Sequence, residues 1–255
     1  MKKSFVRRFM IGILFLLGSG IALAQDNASK VIPIELFTCK FNDNKGSGDL
    51  DKVIDKWNAW ADKNGVDDYA AWTLTPFYFG PDQEFDMIWL GAGKDAIALG
   101  KAQDAYMAEN VGLHAAFNEV LTCDAHANFA SFNFKAPPKG ATPGNSILTF
   151  SDCKYKEGGS FSALKTAMGD WSKHLGDEGS TAGIWHWYPA YGGGSEEYSF
   201  KWLAGFKNMA ELGADYERYG NGGGVATSGR LFGHLIDCDS SRAYVAKNRR
   251  FVQLR

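Results

Sequence analysis

The sequence predicts an α+β protein made of two tandem β-α-β-β-α-β repeats packed sheet to sheet. Three observations carry this reading. Aromatic and cysteine residues recur at an offset of 113 to 115 positions. Inside each recurring block the apolar spacing alternates between the two-residue period of a strand and the 3.6-residue period of a helix. A Pro/Gly-rich stretch, Lys135 to Gly144, separates the blocks and reads as a linker.

The recurrence is specific. Cys39-Lys40-Phe41 matches Cys153-Lys154-Tyr155, Leu50 matches Leu164, and Trp57 matches Trp171. Pro76, Tyr78, Glu84 and Trp89-Leu90 match Pro189, Tyr191, Glu197 and Trp202-Leu203. Lys94, Leu99-Gly100 and Tyr106 match Lys207, Leu212-Gly213 and Tyr219, and Phe117 and Cys123-Asp124 match Phe232 and Cys238-Asp239. The period is too long for a solenoid, and each copy has the size of a small domain. The expected division is residues 25–135, a linker over 136–144, and residues 145–255.

In the first copy, Ile32 to Phe41 alternates apolar and polar residues and reads as a strand. Gly46 to Gly48 is a loop, with Asp49 the expected N-cap of a helix carrying Leu50, Val53, Ile54, Trp57 and Ala61. That helix ends near Asn64-Gly65. Asp68 to Phe79 is a second strand, Gly80-Pro81-Asp82 a turn, and Glu84 to Leu90 a third strand. A helix follows over Lys94 to Glu109. Phe117 to Cys123 is a fourth strand, which Ala127 to Phe134 extends or follows. The second copy repeats this with strands at 146–155, 182–191, 196–203 and 230–238 and helices at 161–175 and 205–219. This order is the ferredoxin-like, or split βαβ, arrangement. Right-handed crossovers place both helices on one face and leave the other bare, and the second copy is its natural cover.

Residues 1–24 read as a secretory signal. Lys2, Lys3, Arg7 and Arg8 precede an apolar stretch that ends in Ala22-Leu23-Ala24. The stretch is short for a membrane span, and no later run is long enough. Export to a periplasm or beyond is therefore expected. Removing the signal takes four of the 27 basic residues and leaves 23 against 29 acidic ones, a formal charge of −6. That balance argues against nucleic acid and anionic membranes as partners. With 8 Trp, 10 Tyr and 18 Phe to bury, disorder is excluded.

The doubled unit resembles the dimeric α/β-barrel superfamily, which includes antibiotic-biosynthesis-type monooxygenases, heme-degrading enzymes, stress-responsive barrel proteins and the NIPSNAP group. The resemblance rests on element order and duplication and implies a pseudo-dimeric α/β barrel. It supplies no catalytic motif to carry over. It leaves heme open as a cofactor, although residue motifs predict none, and it makes self-association an expectation to test.

Four Cys allow three pairings. First and fourth strands are neighbours in a ferredoxin-like sheet, so Cys39–Cys123 and Cys153–Cys238 are the expected bridges. No Cys-x-x-Cys, His-x-His or His-Glu-x-x-His spacing points to a metal. The glycine runs at Gly192 to Gly194 and Gly220 to Gly224 read as turns or flexible loops and lack a Walker ending.

Of the five His, His186 and His234 fall on predicted strands of the second copy. With Tyr188 they are the candidates for acid–base or ligating work. Trp72 and Tyr78 in the first copy, and Trp185, Trp187 and Tyr191 in the second, are the candidates for binding a flat apolar ligand. Alternation sets Trp185 and Trp187 on one face and His186 and Tyr188 on the other. The function expected is an exported, non-catalytic protein that binds a small apolar ligand or a partner. The alternative is a cofactor-free monooxygenase-like or heme-handling enzyme with an apolar pocket in the second repeat.

Overall fold

A computed structural model describes residues 30–109, 112–137 and 145–254. The expected signal, 1–24, and most of the expected linker lie outside the described residues. The first half contributes β1 (Ile32–Phe41), α1 (Ser47–Lys63), β2 (Tyr69–Tyr78), β3 (Met87–Gly93), α2 (Ala96–Met107), α3 (Gly112–Val120) and β4 (Leu121–Lys135). The second contributes β5 (Ser146–Tyr155), α4 (Phe161–Asp177), β6 (Gly183–Tyr191), β7 (Phe200–Phe206), α5 (Met209–Gly220), α6 (Gly224–Phe232), β8 (Ile236–Cys238) and β9 (Arg242–Arg250).

All strand pairs are antiparallel and they close on themselves. Round the ring run β1, β3, β2, β9, β5, β7, β6 and β4, which returns to β1; β8 lies beside β5 as an outlier. Within each half the last strand neighbours the first, followed by the third and the second. The halves are therefore not only packed sheet to sheet. They are hydrogen-bonded edge to edge, β4 to β6 and β2 to β9. A closed barrel has no free strand edge, which removes the usual template for aggregation.

Alternation sends one side-chain set into the barrel and the other toward the helices. Ile34, Leu36, Leu74, Leu90, Phe129, Phe150, Trp187, Leu203 and Tyr244 share the inner core. Outside, α1 lays down Leu50, Val53, Ile54, Trp57 and Ala61, an apolar stripe at helical spacing, onto the first-half sheet. In the second half α4 does the same with Leu164, Ala167, Met168, Trp171 and Leu175.

Several expectations are corrected. Asp49 is not the N-cap of α1: the helix begins at Ser47 behind Gly46, and the Asp49 carboxylate accepts the Gly46 N–H from inside the first turn. The predicted strand at Phe117 to Cys123 is mostly α3, whose Leu113 and Val120 are buried. The predicted strand at 230–238 is likewise the end of α6, a turn, and then β8. Short apolar runs of this length do not distinguish helix from strand. The glycine run at Gly220 to Gly224 is a helix-to-helix corner, with α6 starting on its last residue. The strand β9 closes the barrel against β2 and was not expected from the sequence.

Cys39 is bridged to Cys123, and Cys153 to Cys238, each pair facing across neighbouring strands. The bridges close loops of 84 and 85 residues. By loop-closure entropy each is worth about 4 kcal/mol through the unfolded state. Replacing Cys153 and Cys238 together by Ala should lower the free energy of unfolding in urea by about that amount. An unchanged transition midpoint would contradict the loop-closure account.

Candidate functional site

An open, largely apolar space in the second half lies between its sheet and α4, α5 and α6. It is a cleft of about 540 Å³, within the usual range for small-molecule sites. Trp171, Leu175, Trp202, Phe206, Leu212 and Phe232 form its apolar walls, and His174 adds an imidazole. Arg218 and Asp215 stand at its edge, paired with each other at 2.6 Å. Above the cleft, α5 buries none of its residues, whereas the matching helix α2 buries Leu99.

The same position in the first half is full. There, Glu35 on β1 and Tyr69 on β2 are both buried. The Tyr69 hydroxyl donates to Glu35 Oε1 at 2.6 Å, and the Trp89 indole N–H donates to the Tyr69 oxygen at 2.9 Å. Gln103 on α2 donates to Glu35 Oε2 at 2.8 Å, and His126 Nε2 lies 3.0 Å from the same oxygen. The repeat offset carries Glu35 to Thr149, Tyr69 to Ala182, Gln103 to Tyr216 and His126 to Ser241. All four counterparts line the second-half cleft. Sheet register agrees: Glu35 faces Gly91 across β1 and β3, and Thr149 faces Ala204 across β5 and β7.

Gly91 shows how tightly the first half is fitted. A Cβ there would lie 2.0 Å from the Tyr69 hydroxyl, so only Gly leaves room for it. Its counterpart Ala204 does carry a Cβ, which is tolerated because Ala182 replaces the tyrosine.

Burial opposes ionisation of Glu35, but the hydrogen bonds from His126, Tyr69 and Gln103 outweigh it and hold the carboxyl below its usual range. Burial, reinforced by the Glu35 charge, pushes the Tyr69 hydroxyl far upward and keeps it neutral. None of Glu35, Tyr69 and Gln103 was singled out by sequence reasoning, and His126 was only counted among the histidines. A lone glutamate in an alternating strand reads as solvent-facing. The available signal was its loss to Thr149 at a matched position.

The residues singled out from the sequence are scattered. Trp72, Trp185 and Trp187 sit in or against the inner barrel core, where they pack with Phe129, Phe150 and Tyr244. Trp185 covers Gly183 and Gly205. Tyr78 is exposed at the far end of β2. Tyr191, also exposed, lines a different pocket on the first half. Tyr188 is on the outer face, its hydroxyl 2.9 Å from that of Tyr155. Burial, its first cause, raises the Tyr188 hydroxyl far above the ordinary value.

His234 is not on a strand; it lies exposed in the turn between α6 and β8. His186 is fully buried among Phe134, Phe200 and Trp202, and neither ring nitrogen has a partner among the described residues. Burial pushes its imidazole down to about 3. That burial favours the neutral imidazole. The histidine that does line the second-half cleft is His174. Among the described residues no group of three or more metal-ligating side chains occurs.

No family model and no curated protein matches this sequence. Solved structures do. A protein provisionally named a chlorite dismutase aligns at a TM-score of 0.53 and 11% identity, covering 88% of this chain and 96% of that one. An anthrone oxidase-like protein aligns at 0.52 and 12%, covering 89% and 95%. A mutant chlorite dismutase from Candidatus Nitrospira defluvii aligns at 0.50 and 10%, covering 85% and 91%. At these identities the likeness is one of fold alone: a mixed α+β barrel like those of these solved structures.

Two stability measurements test this electrostatic picture. Replacing the unpartnered His186 by Leu removes a desolvation cost without losing a bond, so stability should hold or rise by about 1 kcal/mol. A clear loss would mean that the ring nitrogens are bonded. Ionised Glu35 stabilises the fold above the usual carboxyl range, and that contribution is lost as pH falls through its lowered folded value. Unfolding free energy of the wild type should therefore drop more steeply on acidification than that of Glu35→Gln. Parallel curves would refute the assignment.

Proposed function

We propose that this protein binds a small, flat, apolar molecule in the second-half cleft. One observation carries the reading. Where the first half holds Glu35, Tyr69 and Gln103 in a closed network, the second half has Thr149, Ala182 and Tyr216 around a cavity of about 540 Å³. Trp171, Trp202 and Phe232 offer aromatic walls whose preferred contacts are flat apolar faces. The unburied helix α5 covers the space without filling it.

His174 favours a narrower version of the same reading, in which the ligand is heme. It is the one imidazole among the described residues lining the cleft, and none of the side-chain hydrogen bonds there involves it. The donor set fits such a group: His174 would hold the iron, and the Trp and Phe side chains would hold the ring against the sheet. Heme, when bound, supplies redox chemistry. The likeness to proteins named chlorite dismutase and anthrone oxidase-like supports an enzymatic role only as fold analogy. His186 and His234 do not face this space.

Duplication and export belong to the same proposal. Matched disulfides and the same strand order in both halves support two ferredoxin-like units, bounded at 25–135 and 145–255. Two disulfides are in keeping with an oxidising destination, and no helix among the described residues is long and apolar enough to cross a membrane.

Ala182→Tyr restores the side chain that fills the first half, and Trp202 stands ready to donate to its hydroxyl as Trp89 does to Tyr69. Titration with anilinonaphthalene sulfonate, read by energy transfer from Trp171 and Trp202, should give saturable binding that falls by about tenfold or more in Ala182→Tyr. Equal binding by both proteins would remove the cleft as the site. Titration with hemin tests the narrower version: His174→Ala should shift the Soret band and weaken binding, and an unchanged spectrum would exclude His174 as ligand.

A further inference from the structure

The first-half network is not sealed. One edge opens into a second pocket of about 380 Å³ between β4, α2 and the end of β6. Pro33, Leu99, Ala127 and the Tyr191 ring form its apolar sides, and Gln103 and His126 are polar groups on its wall. Gly192, at a φ of 85°, brings the second half onto this wall; a Cβ there would lie 2.1 Å from the His126 carbonyl oxygen.

The His126 side chain is 47% exposed, while the Glu35 side chain behind it is 7% exposed. A carboxylate can only accept hydrogen bonds, so the proton between them sits on His126 Nε2. In the neutral ring this leaves Nδ1 as an acceptor, and among the described residues no hydrogen bond occupies it. The ring is also stacked flat on Phe37, with centroids 3.7 Å apart and planes within 12°. A buried carboxylate thus fixes the tautomer and an aromatic face fixes the orientation, the arrangement that readies an imidazole to take a proton.

The groups around it do not compete. Burial and the Glu35 charge hold Tyr69 neutral. Tyr106 on α2 is pushed up to about 12, mainly by burial and then by Glu109 and Glu35. Gln103 and Trp89 donate without titrating. The second half has no equivalent, because Thr149 and Ser241 stand at the matched positions.

We infer that Glu35 and His126 form a proton-accepting couple for a weakly acidic hydroxyl, a phenol or enol, docked in this first-half pocket. The hydroxyl donates to Nδ1. When the proton crosses, its O–H bond breaks and an N–H bond forms. The electron pair stays on oxygen, and the imidazolium is held between that oxyanion and the Glu35 carboxylate. No oxidant or further reactant takes part. The apolar sides and the Tyr191 ring would hold the aromatic or conjugated body of the ligand.

The test uses the full protein and para-nitrophenol, whose phenolate absorbs visibly while the phenol does not. Below the pH at which the free probe ionises, wild-type protein should bind it with a phenolate spectrum. His126→Gln should lose that spectrum and bind about tenfold more weakly. Glu35→Gln should bind but lose the phenolate signal. Ala182→Tyr, which fills the other cleft, should change neither. A phenolate signal that survives in His126→Gln, or that vanishes in Ala182→Tyr, overturns the inference. So does wild-type protein that fails to bind the probe. Nitrogen NMR of the free protein gives an independent readout: an unprotonated Nδ1 on His126 supports the couple, and a protonated one at neutral pH overturns it. Should Glu35→Gln fail to fold, the half-exposed His126→Gln still decides.

Discussion

The structure depends on the pairing of each half's last strand with the other half's second strand. Without β4 on β6 and β9 on β2, the sheets would be two open layers with exposed edges. Closure turns them into one barrel, and a ring of eight strands has an interior just wide enough for side chains to fill. Phe129, Phe150, Trp187 and Tyr244 fill it. The barrel interior is therefore committed to stability. The two pockets described above lie outside it, between a sheet face and the helices laid across it.

The matched strand order of the two halves then sets up an internal comparison. The two halves share strand order and disulfide positions, so matched residues occupy matched environments. The differences are compensated within each half. Tyr69 requires Gly91, and Ala182 permits Ala204. Glu35 is tolerable in a buried strand because three donors meet it. Thr149 needs no such support. Where the first half has its network, the second half has a largely apolar open recess.

Much of the architecture was legible because it follows from local rules. The strand and helix periods located β1, α1, β2 and β3, and the Cys pairing followed from which strands are neighbours. The errors came where local pattern is ambiguous. Leu113 to Val120 spans only two helical turns, and its continuation into Leu121 looks like one apolar strand. Closure was hidden for another reason: β4 and β9 pair with strands far away in sequence, and nothing in their own composition names the partner. Of the chemistry little was legible. Aromatic clusters attracted attention, yet Trp185 and Trp187 serve the inner core. The groups with perturbed environments are single residues from four different elements, brought together only by the fold.

The contrast between His126, His174 and His186 shows why the residue type alone could not settle function. All three are imidazoles, and His186 was a candidate because it falls on a predicted strand of the second copy. Yet among the described residues its ring nitrogens have no hydrogen-bond partner, and it lines neither of the two pockets described above. His126 gains its potential from a carboxylate contributed by β1, ninety-one positions earlier in the chain. His174, on α4, lines the open second-half cleft together with Ala182. In the two halves the same scaffold therefore presents opposite environments: a polar, carboxylate-backed histidine in one and an apolar, cavity-facing histidine in the other. A fold likeness at 10–12% identity cannot predict which of these is used, whereas the side chains at four matched positions separate the two.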